Sequence, residues 1–129
     1  MNTTTENNKL IAEFMGYGYQ LSSYYIPKFG LYKSQYGGGI VWEDCFRAEE
    51  LQYHKDWNWL MEVVEKIESL EIFDTDYFTF RIDGGLSAIV EDMYGNVIVD
   101  SVGLDCDSKI EYVYYVAVEF IKWYNKQKN

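Results

Sequence analysis

The sequence predicts an α+β fold: an antiparallel sheet, built from a three-stranded C-terminal meander plus short N-terminal strands, with three helices packed on it in an α/β/α sandwich-like arrangement. Three observations lead there. Apolar residues recur at helical spacing in three separated segments. Between residues 77 and 102 the spacing shortens to two, and glycine-bearing turns divide that stretch into hairpins. The chain has 129 residues, of which 48% are hydrophobic and 25% charged. That is the size of one domain, commonly ~100–150 residues, with enough apolar content to close a core, so a single domain over residues 1–129 is expected.

The first helix starts at Thr3, a capping residue with Glu6 three positions on as its capping-box partner. Leu10, Ile11 and Phe14 share one face, and Gly16 is placed to end the helix in the left-handed conformation. Two short strands are expected next, Tyr19–Ile26 and Leu31–Tyr36, joined by a turn at Pro27 and Gly30. Gly37-Gly38-Gly39 then reads as a flexible loop. Asp56 to Leu70 is the clearest helix. Asp56 suits the N-cap, and Leu60, Val63, Val64 and Ile67 fall at i, i+3, i+4 and i+7.

In Tyr77–Ile82 the residues Phe78, Phe80 and Ile82 point one way and Tyr77, Thr79 and Arg81 the other. Turns at Asp83-Gly84-Gly85 and Tyr94-Gly95-Asn96 make residues 77–82, 86–92 and 97–102 an antiparallel meander. The last helix begins at Ser108, with Glu111 completing a capping box. Its apolar surface is broad, and only Glu111, Glu119, Lys122 and Lys126 form a polar stripe. A chain this small should leave such a helix partly uncovered, so a homo-oligomer formed through the C-terminal helix is expected.

Charge narrows the partners. Lys and Arg number 11 against 21 Asp and Glu, a formal charge of −10. The excess is local: residues 56–111 hold 14 acidic and 3 basic side chains, and the rest of the chain is almost balanced. A field of this sign repels nucleic acid and anionic membrane, and attracts basic protein surfaces. No segment has the ~20 apolar residues of a membrane helix, and the N-terminus lacks a signal-peptide pattern, so a soluble cytoplasmic protein is expected.

Few residues suggest reaction chemistry. His54 is the sole histidine, and nothing in the spacing pairs it with Cys45 or Cys106. Two cysteines make neither a disulfide framework nor a four-thiolate zinc site. Asp74, Asp76 and Asp83, or Asp105 and Asp107, could offer oxygens to a hard cation, but neither run has calcium-loop spacing, and turns and caps account for them. The glycine run does not match a phosphate-binding loop. Neither a catalytic residue, a metal nor a cofactor is therefore expected. The most distinctive stretch is Tyr53-His54-Lys55-Asp56-Trp57-Asn58-Trp59. With Tyr53, His54, Lys55, Trp57 and Trp59 at a helix N-terminus, it could stack a flat ligand and hold its phosphate. The competing explanation is a hydrophobic staple with both tryptophans packed inward.

Three blocks resemble small proteins encoded in bacteriophage and prophage genomes: Asn8–Gly16, Trp57–Glu68, and Ser108–Glu111 with Val118–Asn125. The first two are similar to the domain known as the phage ABA sandwich. The strands and the glycine loop are unmatched, and Glu62 stands where the usual pattern has proline. The resemblance implies helices about a sheet and a phage accessory protein, with no catalytic residues. Combined with the charge, it leads to an expectation of counter-defence by binding. Glu62, Glu65, Glu68, Asp74, Asp76, Asp83, Glu91 and Asp92 would stand in for phosphates on the basic surface of a host nucleic-acid-binding protein, inhibiting it. The alternatives are sequestration of a nucleotide signal by the aromatic stretch, or an uncharacterised enzyme.

Overall fold

The computed structural model of the chain describes residues 3–20, 23–24, 46–72, 75–83 and 87–128. The fold is α+β, and the chain divides into two compact units, Met1–Leu51 and Gln52–Asn129.

In the first unit, helix α1 spans Thr3–Phe14 and buries Asn8, Ile11 and Ala12. Thr3 is itself the first helical residue, one position further in than the expected cap. The other end stops where the glycine predicts. Gly16 sits at φ +90°, its N–H donates to the Glu13 carbonyl (3.0 Å), and the Tyr17 N–H donates to the Ala12 carbonyl (3.0 Å). That pair of bonds is a Schellman closure, which satisfies carbonyls the helix would otherwise leave open.

The strands that follow are shorter than expected: β1 is Tyr19–Gln20, β2 is Ser23–Tyr24 and β3 is Phe46–Arg47. Tyr19 pairs with Tyr24 and Gln20 with Ser23, so the single strand expected over Tyr19–Ile26 is instead a hairpin. Strand β3 pairs with β2, and the three form a sheet of their own rather than extending the meander. The expected strand Leu31–Tyr36, the turn at Pro27 and Gly30, the glycine loop and Cys45 lie outside the described residues. A 3-10 turn, Ala48–Glu50, follows, and the Glu50 carboxylate accepts the Arg47 N–H at 2.7 Å. The buried Asn8 side chain donates to the Leu51 carbonyl (3.1 Å), tying α1 to this turn.

The second unit is a two-layer arrangement. Helix α2 spans Trp57–Ser69, with Asp56 as its N-cap accepting the Asn58 N–H at 2.8 Å. Its buried residues are Leu60, Val63, Val64 and Ile67, the stripe visible in the sequence. Asp56→Ala leaves that N–H without its acceptor and should cost about 1 kcal/mol. A urea titration against the parent will show the midpoint move down by the matching amount.

Strands β4 (Phe78–Asp83), β5 (Ser87–Asp92) and β6 (Val97–Asp100) form the antiparallel meander. Phe78, Phe80, Ala88 and Val90 are buried on one face, in a register that sets Phe80 against Val90 and Ile82 against Ala88. The last strand ends two residues early. The Asp100 carboxylate accepts the Val102 N–H (3.1 Å) and turns the chain out, while the Ser101 hydroxyl takes the Ala88 N–H (3.0 Å).

Helix α3 runs Lys109–Lys128, and at its start the Glu111 carboxylate accepts the Ser108 hydroxyl and the Asp107 N–H, both at 3.4 Å. It packs over β5 and β6, while α2 lies along β4 and touches α3. Phe120 meets Phe78 edge-to-face at 5.2 Å, so both helices cover the same face of the meander. The apolar surface of α3 is covered only in part. Val113, Val116, Ala117, Val118, Phe120 and Ile121 are all buried in the single chain. Tyr115 is the one large exposed apolar residue on this helix, within the stripe of Glu111, Glu119, Lys122 and Lys126. Ile110, Tyr114, Trp123 and Tyr124 are half-buried, so part of the apolar surface that led to the expectation of an oligomer through this helix stays accessible.

Candidate functional site

The acidic residues singled out in the sequence separate into two kinds, those bound into the local structure and those facing outward. Glu68 belongs to the first kind. Its carboxylate accepts the Phe80 N–H at 3.1 Å, and Phe80 lies on the edge strand β4. An edge strand has a row of backbone donors with no strand to receive them, and Glu68 takes one. Asp92 organises the β5–β6 turn. One carboxylate oxygen accepts the N–H groups of Tyr94 and Asn96, both at 2.9 Å, and the other accepts the Asn96 side chain at 3.1 Å. Gly95, at φ +86°, completes the turn. Partial burial pushes the Asp92 carboxyl up, but its hydrogen bonds with Asn96, Tyr94 and Gly95 outweigh it and hold it below the ordinary range.

Glu91 and Asp83 share Arg81. The guanidinium lies 2.9 Å from Glu91 and 3.7 Å from Asp83, on the face of the meander opposite the helices. Pairs this close to solvent contribute little stability, but they partly neutralise the carboxylates a partner would meet.

Glu62, Glu65 and Asp76 are exposed. Glu62 and Glu65 lie on the outer side of α2, turned away from its buried stripe. Trp57 and Met61, one helical turn apart in the row that Glu65 continues, expose 39% and 37% of their surfaces on the flank of the helix. The eight expected phosphate mimics therefore do not form one surface. The sheet separates Glu62 and Glu65 from Asp83 and Glu91, Glu68 and Asp92 are occupied, and Asp74 lies outside the described residues. Periodicity showed which side of α2 faces out, but no local pattern shows that Glu68 reaches a strand twelve residues on.

The aromatic stretch also divides. Tyr53 is buried and meets Trp59 edge-to-face at 5.1 Å, which is packing. His54 is half-buried, with its ring 6.2 Å from that of Tyr114 on α3. Lys55 and Trp57 are exposed, so neither joins the Tyr53–Trp59 packing as a closed cluster. The helix N-terminus, where a ligand phosphate would sit, is already occupied by the Asp56 carboxylate.

Burial, with the Lys55 charge beside it, pushes the His54 imidazole below its ordinary value of 6.5. The folded chain thus binds this proton less tightly than the unfolded chain does. Stability contributed by His54 is intact above pH 6.5 and is lost as the pH falls below it. His54→Asn should flatten that part of the profile. Melting temperatures taken from about pH 7.5 to about pH 5.5 will fall less for the variant than for the parent.

Cys106 is half-buried, and its thiol is pushed up by burial and by the charges of Glu111, Asp105 and Asp107. That environment suppresses the thiolate needed for nucleophilic attack. Among the described residues no three His, Cys, Asp or Glu side chains gather to hold a metal ion. No described helix is long and apolar enough to cross a membrane. No family model, curated protein or solved structure matches the chain.

Proposed function

We propose that this protein works by binding: the outer face of α2 engages a basic protein surface of the kind that holds nucleic acid. The observation that carries the reading is the juxtaposition on one helix of exposed Glu62 and Glu65 with exposed Trp57 and Met61. Carboxylates on a rigid helix supply attraction and orientation toward Lys and Arg, while Trp and Met supply apolar area of the type enriched at protein interfaces. The surrounding −11 charge of residues 56–111 steers a cationic partner toward that face. In the setting that the resemblance to phage-encoded proteins implies, the partner is a host nucleic-acid-binding effector, and occupying its groove is a counter-defence.

Capture of host proteins on the immobilised chain, with and without excess duplex DNA, tests this. The retained protein should bind nucleic acid, be displaced by the duplex, and elute as salt rises. Retention indifferent to both duplex and salt would overturn the reading.

A further inference from the structure

The β5–β6 end of the meander carries a second exposed surface, separate from the outer face of α2. Tyr94 in the turn is 66% exposed, and Tyr77 and Val97 are each 50% exposed. The strand register brings them to one end of the sheet. Val97 pairs with Glu91, Glu91 pairs with Thr79, and Tyr77 precedes Thr79 by two residues on the same alternation. Exposed apolar side chains grouped at one place, unlike scattered ones, mark interaction sites.

The turn presenting them is held firmly. Asp92 closes it with three side-chain hydrogen bonds, and the Asp92 N–H donates to the Asn96 carbonyl at 2.9 Å. From the segment before β4, the Asp76 N–H donates to the Met93 sulfur at 3.1 Å, fastening that segment to the turn. A surface ordered before binding loses little entropy when a partner arrives.

Charge identifies that partner. Asp76, Glu91 and Asp92 lie at this end, and Arg81, already shared between Glu91 and Asp83, is the nearest cation on these strands. A second copy of a chain with charge −10 would bring like charge to like charge. We infer that the tip formed by Tyr77, Tyr94 and Val97 is a docking surface for an arginine-bearing segment of a partner protein. The guanidinium stacks on the tyrosine rings, and its aliphatic stem lies along Val97. A planar, weakly hydrated guanidinium suits a ring face flanked by carboxylates better than a compact ammonium does. The inference shares the cationic partner class with the proposed function but uses different residues, so each can fail without the other.

The test uses the whole chain, labelled for NMR and titrated with an octa-arginine peptide, and octa-lysine and glycine–serine peptides of equal length as comparisons. The expected result is saturable shifts at Tyr77, Tyr94 and Val97, with arginine binding several-fold tighter than lysine. The double variant Tyr77→Ala with Tyr94→Ala should bind octa-arginine about tenfold more weakly, its spectrum otherwise that of the folded parent. Trp57→Ala should leave the shifts at the tip in place. Equal response to arginine and lysine would overturn the inference, because charge alone would then suffice. So would shifts confined to α2, or a double variant that binds like the parent. Sedimentation showing self-association that Tyr94→Ala abolishes would overturn it too, since the occupant would be a second copy.

Discussion

Phe120→Ala removes about 3–5 kcal/mol of stability, a large share of the ~5–15 kcal/mol typical of a whole domain. The ring is fully buried on α3, where it touches Phe78 from β4 at 5.2 Å, Trp123 at 5.5 Å and Tyr124 at 6.4 Å. Truncation loses the transfer energy of the ring, opens a cavity where helix meets sheet, and deprives three other rings of their partner. Chemical unfolding will show a midpoint far below the parent's, or a chain with no cooperative transition at room temperature. Tyr115→Ala, on the exposed stripe of the same helix, should shift the midpoint little. Equal losses at the two positions would mean that α3 is covered differently from what the burial pattern shows.

Reversing Glu62 and Glu65 together to Lys should weaken capture of the basic partner about a hundredfold. Both side chains are exposed on α2, so the change leaves the core intact while placing cations where the partner has its own. A matched control is Asp105→Lys with Asp107→Lys, two exposed carboxylates in the loop before α3. It alters the net charge by the same amount at a different place. If position matters, the α2 variant loses far more affinity in a biolayer titration at fixed salt. Equal losses would show that overall charge alone governs the association, and would remove the α2 face from the proposal.

Much of the second unit was legible in the sequence. The stripe Leu60, Val63, Val64 and Ile67, the cap at Asp56 and the alternation of Phe78 and Phe80 are all as the spacing required. Each is a short-range pattern, set by the pitch of a helix or the pleat of a strand. The single strand expected over Tyr19–Ile26 was misjudged, because period-two spacing does not distinguish one strand from two short ones that pair with each other. The C-terminal helix is a mixed case, with one part of its apolar surface buried and another half-buried. Its broad apolar surface was correctly seen, but whether the chain itself could cover that surface is a question of packing.

The candidate site follows the same division. Sequence alone determined the sign of the charge, its concentration in residues 56–111, and the outward side of α2, since these depend on composition and on a fixed helical period. Only the tertiary structure decided which carboxylates are available. Glu68 serves a strand edge, Asp92 a turn, and Glu91 and Asp83 an arginine, while Glu62 and Glu65 face out. A carboxylate is bound or available according to the donor that folding brings within hydrogen-bond reach of it. That distance is not written in the order of the residues.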